Sequence, residues 1–157
     1  MSFDITITIN DCTKKYKIDP NELLIDLLRR EGYKSVKRGC DEGTCGSCTI
    51  ILNGKVVKSC ILLAAQAHKS TITTVESIGT REKPHPLQQA FVDEGVVQCG
   101  FCIPGMLLSA KVILDNNPNP DIEDIKFGLD GNLCRCTGYS GQIKAVLKAA
   151  AIMRGEK

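Results

Sequence analysis

The chain has 157 residues, with 20 Lys and Arg against 18 Asp and Glu, for a formal net charge of +2. That length holds one domain or two small ones, and the near-balance of charge removes the basic surplus on which nucleic-acid binding draws. No apolar run approaches the roughly 20 residues that span a bilayer, and Met1-Ser2-Phe3-Asp4 does not open a basic stretch leading into an apolar one, so the expectation is a cytoplasmic chain with no signal peptide.

Phe3, Ile5, Ile7 and Ile9 alternate with polar residues, the period of a half-buried strand. Asn10-Asp11 is a turn signal. Cys12, Lys14, Tyr16 and Ile18 then fall on one side of a second strand, which predicts a hairpin. Asp19-Pro20-Asn21-Glu22 reads as a helix start, with Asp19 as cap, Pro20 at the first position and Glu22 reaching back. Leu23, Leu24, Leu27 and Leu28 form its buried stripe, and Gly32 its stop. Residues 37–48 are rich in Gly and Cys and read as a loop. Thr49–Leu52 and Lys55–Lys58 flank Asn53-Gly54, a strong hairpin signal. Ile72 to Val75 reads as a further strand.

Residues 79–86 are polar with two prolines and read as a linker. Beyond them the pattern turns helical. Pro86 to Glu94 is one helix. Pro104 to Asn116 is a second, with Met106, Leu107, Ala110, Ile113 and Leu114 at helical spacing, and Asn117-Pro118-Asn119-Pro120 ends it. Asp121 caps a short third helix. Ser140 caps a fourth, whose Ile143, Val146, Leu147 and Ala150 share a face. The fold expected is α+β, a small mixed sheet with one helix (1–78) followed by an all-α four-helix domain (79–157).

Nine Cys exceed what a core of this size needs, and the odd number does not fit a set of internal disulfides. Cys40, Cys45, Cys48 and Cys60 fall in one stretch, and Cys99, Cys102, Cys134 and Cys136 in another. Two groups of four thiols suggest two four-ligand metal sites. The first has the Cys-x4-Cys-x2-Cys spacing of plant-type [2Fe–2S] ligation, with Cys60 as fourth ligand. Gly39, Gly43 and Gly46 let backbone N–H groups converge on the sulfurs. A structural zinc is the alternative, but only Cys45 and Cys48 make the short pair usual in zinc knuckles. For the second group, Cys99-x2-Cys102 and Cys134-x-Cys136, spacing alone does not decide between zinc and [2Fe–2S]. A thioredoxin-like dithiol leaves Cys134 and Cys136 unexplained. Cys12 stands alone and reads as a buried, inert thiol beside Tyr16 and Ile18. His68 and His85 lack partners at metal or catalytic spacing and read as surface or linker residues. Met106 reads as core.

Three segments resemble the iron–sulfur subunit of molybdenum hydroxylases of the xanthine dehydrogenase family. They are Gly39-Cys40-Asp41-Glu42-Gly43-Thr44-Cys45-Gly46-Ser47-Cys48-Thr49, Gln98-Cys99-Gly100-Phe101-Cys102-Ile103-Pro104-Gly105-Met106 and Asn132-Leu133-Cys134-Arg135-Cys136-Thr137-Gly138-Tyr139. The resemblance implies an N-terminal β-grasp domain like plant ferredoxin and a C-terminal helical domain, each with a [2Fe–2S] cluster. It implies electron transfer from a molybdopterin on a large partner subunit, through the two clusters, to FAD on another partner, in a complex that dimerises. Gln98 and Cys136 match positions that contact the pterin in that family, and the family places Met106 close to the second cluster. Arg135 is a cation beside negative clusters, or simply a solvated loop charge. The chain is most similar to small subunits of nicotinate and xanthine dehydrogenases, which suggests an aza-aromatic such as nicotinate, or a purine, as substrate of the complex. A free two-cluster ferredoxin and a zinc-stabilised interaction protein are the alternatives.

Overall fold

A computed structural model describes residues 2–156. Strands β1 (Phe3–Ile9) and β2 (Cys12–Ile18) form the first hairpin, in antiparallel register from Phe3 opposite Ile18 to Ile9 opposite Cys12. Ile5, Ile7 and Ile9 are buried, as the alternation predicts. The second hairpin joins β3 (Thr49–Leu52) to β4 (Lys55–Lys58). Its central residues Asn53 and Gly54 have φ of 48° and 80°, the paired positive values that a two-residue hairpin turn needs. β5 (Thr71–Thr73) lies parallel to β1 and antiparallel to β3, so the sheet order is β2-β1-β5-β3-β4. The strand predicted at 72–75 is thus shorter and earlier, because Val75–Ser77 turns into a 3-10 helix.

Helix α1 (Leu24–Arg30) lays Leu24, Ile25, Leu27 and Leu28 on the sheet, all fully buried with Ile7, Ile18, Ile50 and Ile72. Each such side chain contributes about 1.5–3 kcal/mol by leaving water. Asp19 does not cap this helix. The Asp19–Glu22 turn closes on itself, with Glu22 N–H donating to Asp19 O at 3.1 Å. The next backbone groups are taken up by residues 62–64: Leu24 N–H donates to Leu62 O at 2.7 Å and Ala64 N–H to Glu22 O at 2.8 Å. Leu23 is held extended in a bridge to Leu63, so the helix starts only at Leu24.

The second half packs α2 (Pro86–Asp93), α3 (Ile103–Asn116), α4 (Ile122–Leu129) and α5 (Ser140–Met153) around a core of its own. Leu87, Phe91, Met106, Ile125 and Val146 are fully or almost fully buried there. Val75 and Ile78 also pack against this core. His85 does more than link: its Nδ1 accepts from Leu87 N–H at 3.2 Å, and Gln88 Oε1 accepts from His85 N–H at 2.8 Å, a reciprocal cap on α2. Asp121 caps α4 as expected, accepting from Asp124 N–H at 2.8 Å. Ser140 does not cap α5. It is the first helical residue, and Tyr139, at φ 69°, occupies the cap position.

Candidate metal centres

The first thiol group is assembled by the 37–48 loop and the second hairpin. Cys40 Sγ accepts from the N–H groups of Glu42 and Cys45, both at 3.4 Å. Gly43 and Gly46 turn the loop at φ 77° and 75°. At Gly39 a Cβ would come within 2.8 Å of Cys45 Sγ, so a side chain there would intrude on the sulfur. Cys48 lies just before β3, and Cys60 sits on a 3-10 turn (Ser59–Ile61) just after β4. Ser59 Oγ donates to Cys48 O at 2.7 Å, which closes the hairpin and brings the two buried thiols together. The Thr44 hydroxyl and the Glu42 and Cys45 N–H groups pull the Cys40 thiol down to about 6. Burial, followed by contact with Cys48, pushes Cys60 up to about 11.

The second group comes from two loops. Cys99 precedes α3, Cys102 stands at its N-cap, and Cys134 and Cys136 lie between α4 and α5. Cys136 Sγ is 3.6 Å from Cys99 Sγ. Burial, and then contact with Cys134, raises Cys102 to about 12. Burial also acts to raise Cys134, but the Thr137 hydroxyl and the Cys136 and Thr137 N–H groups outweigh it and bring that thiol down to about 7.

All eight thiols predicted as ligands therefore meet in pairs: Cys40 with Cys45, Cys48 with Cys60, Cys99 with Cys136, and Cys102 with Cys134. Two pairs per group, with backbone donors aimed at sulfur, fit two iron atoms per site.

Cys12 is not buried. It is exposed at the hairpin end of β2, because the core stops at Tyr16 and the alternation runs on past it. His68 is exposed and its Nδ1 accepts from Thr6 N–H at 3.1 Å. Gln98 and Arg135 are both exposed. Cys99 and Cys136 form an exposed edge of the second site, whereas Cys48, Cys60 and Cys102 are buried. Met106 is fully buried in the helical core.

The two sites lie against each other. A cavity of about 320 Å³ is lined by Cys40 and Cys45 on one side and by Cys99, Cys102, Cys134 and Cys136 on the other. Leu133 N–H donates to Cys45 O at 2.9 Å, so a residue next to one thiol group bonds a member of the other. A buried relay runs beside it. Lys58 Nζ donates to Thr49 Oγ1 at 3.1 Å and to Gly131 O at 3.0 Å. Thr49 Oγ1 donates to Asn132 Oδ1 at 3.3 Å, and Asn132 Nδ2 to Ser109 Oγ at 2.7 Å. Lys37 Nζ reaches Gly100 O at 3.1 Å and lies 5.1 Å from the centre of the Phe101 ring. The sequence alone gave no role to Lys37, Lys58, Thr49 or Asn132. The bonds that cross from one half of the chain to the other join residues 63 to 83 positions apart, and no local pattern marks them.

Residues 7–72 match the 2Fe-2S iron-sulfur cluster binding domain family, and residues 74–147 match the [2Fe-2S] binding domain family. The nicotinate dehydrogenase small FeS subunit of Eubacterium barkeri is 51% identical over 136 residues, spanning 86% of this chain and 87% of that one. The xanthine dehydrogenase iron-sulfur-binding subunit of Escherichia coli O157:H7 is 41% identical, spanning 91% of each. Among solved structures, quinoline 2-oxidoreductase from Pseudomonas putida 86 superposes with a TM-score of 0.91 at 41% identity, covering 99% of both chains. The aldehyde oxidoreductase of Desulfovibrio desulfuricans superposes with a TM-score of 0.95 at 46% identity, but this chain spans 17% of that longer one.

Proposed function

The chain belongs to the small iron–sulfur subunits of the xanthine dehydrogenase family of molybdenum hydroxylases, and from that premise we propose that it carries electrons one at a time between a molybdopterin on a large partner and FAD on another. Bound [2Fe–2S] clusters would supply one-electron acceptance and release at two fixed points. Cys40, Cys45, Cys48 and Cys60 hold the first, and Cys99, Cys102, Cys134 and Cys136 the second. The ferredoxin-like unit is taken as residues 1–78 and the helical unit as 79–157.

The observation that carries this reading is the hydrogen bond from Leu133 N–H to Cys45 O, at 2.9 Å. It supports a short through-bond route from Cys134 to Cys45. Gly46 and Gly105 keep that route short, because a Cβ on either would come within 2.3 Å of the other half's backbone. The exposed Cys99–Cys136 edge, with Gln98 beside it, is the side assigned to the molybdopterin partner. The first site is assigned to the FAD partner. Hydroxylation with oxygen from water releases two protons and two electrons per C–H bond converted, and the chain's role is to pass those electrons on. The names of its relatives favour nicotinate, another aza-aromatic or a purine as substrate of the complex. The assembly is taken to dimerise in the cytoplasm. Among the described residues, no helix is long and apolar enough to cross a membrane.

The test is purification of the tagged chain under native conditions, with metal, pterin and flavin analysis of whatever accompanies it. Larger chains that carry molybdenum, pterin and flavin are expected. Recovery of a lone chain that reduces soluble acceptors would replace this reading with a diffusible ferredoxin.

A further inference from the structure

Gln142 lies in the first turn of α5 and is fully buried. Its Nε2 donates to Thr137 Oγ1. Thr137 Oγ1 in turn lies 3.1 Å from Cys134 Sγ. A threonine hydroxyl has one proton to give. Because its oxygen accepts from Gln142, that proton is free to point at the sulfur. A metal-bound thiolate has no proton of its own and can only accept. With Cys134 ligating a metal, the relay therefore runs from amide to hydroxyl and from hydroxyl to sulfur.

The arrangement has a cost that simple packing would avoid. Gln142 Oε1 is buried with no hydrogen-bond partner among the described residues. An apolar side chain of similar size would fill the space without an orphaned carbonyl. The amide is of use here through its other end, the Nε2 donor. If the amide were reversed, Oε1 would face Thr137, the hydroxyl would donate to Gln142, and the sulfur would lose its bond. Cys134 is also held from a second side, since its N–H donates to Tyr139 OH at 2.8 Å. Tyr139 and Thr137 thus grip Cys134 from the turn that leads into α5.

We propose that Gln142 and Thr137 are positioning residues that raise the reduction potential of the second cluster by fixing a hydroxyl donor on Cys134. The proposal rests on the two-cluster reading above. Reduction adds negative charge to the cluster and its sulfurs, so a donor to sulfur stabilises the reduced form more than the oxidised one.

The experiment is an EPR-monitored redox titration of the whole complex, in which the two clusters are followed separately. Thr137→Val, which removes the hydroxyl at nearly constant shape, should disfavour reduction of the second cluster roughly tenfold, the effect of about one hydrogen bond. Tenfold is 59 mV for a one-electron couple. The first cluster should not move. Thr137→Ser keeps the hydroxyl and should restore the wild-type value. Gln142→Glu keeps every thiol and the hydroxyl but places an acceptor where the amide donor was. It should draw the hydroxyl proton away from sulfur and lower the second potential as well. If Thr137→Val fails to hold its cluster, Gln142→Glu with Thr137→Ser still decides the matter. A second-cluster potential unchanged in Gln142→Glu, or a shift shared equally by both clusters, overturns the proposal and leaves the electron-transfer reading standing. A wild-type complex with no second cluster signal overturns both.

Discussion

Gly105→Ala probes the contact that keeps the two sites together. Gly105 lies in the first turn of α3, where a Cβ would fall 2.3 Å from Gly46 O and 3.1 Å from Asn132 Oδ1. Real Cβ atoms stay beyond 3.0 Å, so α3 and the first loop must part by about 0.7 Å. In an unobstructed helix this substitution would stabilise by about 1 kcal/mol. Here the obstruction is backbone, and overpacking of that kind costs about 1–3 kcal/mol. The same opening stretches the Leu133–Cys45 and Thr49–Asn132 bonds, each contributing about 0.5–1.5 kcal/mol. The net expectation is a loss of about 2 kcal/mol. Gly128→Ala is the matched control in α4. Its Cβ would also be close, 2.4 Å from Ile113 Cδ1 and Cγ1, but the obstruction is a half-buried side chain rather than backbone. It should cost less than Gly105→Ala and leave the contact between the two sites intact. Denaturant unfolding, followed by circular dichroism and by the visible absorbance of the clusters, measures both. A Gly105→Ala chain as stable as wild type would refute the argument that this close approach is tight.

Three further substitutions test other parts of the account. Asn132→Ala removes a buried amide bonded at both ends, leaving Ser109 Oγ without its donor and the Thr49 hydroxyl without its acceptor, so unfolding should come about 1–3 kcal/mol earlier; an unchanged midpoint would show that the relay contributes nothing to stability. Cys45→Ser should abolish one reduced-cluster EPR signal and spare the other, and loss of both from a folded protein would mean that the thiols are wrongly grouped. Glu76 concerns acid stability. Burial acts to raise its pKa, but bonds from the Ser35 and Thr74 hydroxyls and backbone N–H groups hold it below the usual carboxylate range. A depressed folded-state pKa contributes stability above the unfolded value of about 4.3, and that contribution is lost as pH falls through the folded value. Wild type should therefore exceed Glu76→Gln in stability near pH 6, and the two unfolding curves should converge on acidification. Parallel curves down to pH 3 would contradict this.

Features set by near neighbours could be read from the sequence. The Asn53-Gly54 turn, the alternating isoleucines of β1, the Asp121 cap and the spacing of the thiols each lie within a few residues. The features misread depend on distant segments. Asp19 meets the local rules for a helix cap, but residues 62–64 take up the backbone at Glu22 and Leu24 and delay the helix. Cys12 continues an alternating pattern beyond the point where the core ends. Ser140 is a good cap residue, yet Tyr139, whose hydroxyl accepts from Cys134 N–H, takes the position at φ 69°. The contact between the two sites was invisible for the same reason. Gly46 and Gly105 look like ordinary loop and helix glycines until the two halves are placed together.

The central claim is that each half of the chain holds one two-iron cluster on four thiolates. Iron and acid-labile sulfide analysis of the purified complex, combined with low-temperature EPR of its reduced form, tests this most directly. The account predicts about four irons and four sulfides per chain, in two magnetically distinct [2Fe–2S] centres. A colourless protein holding zinc, or one whose iron forms a single centre, would contradict it.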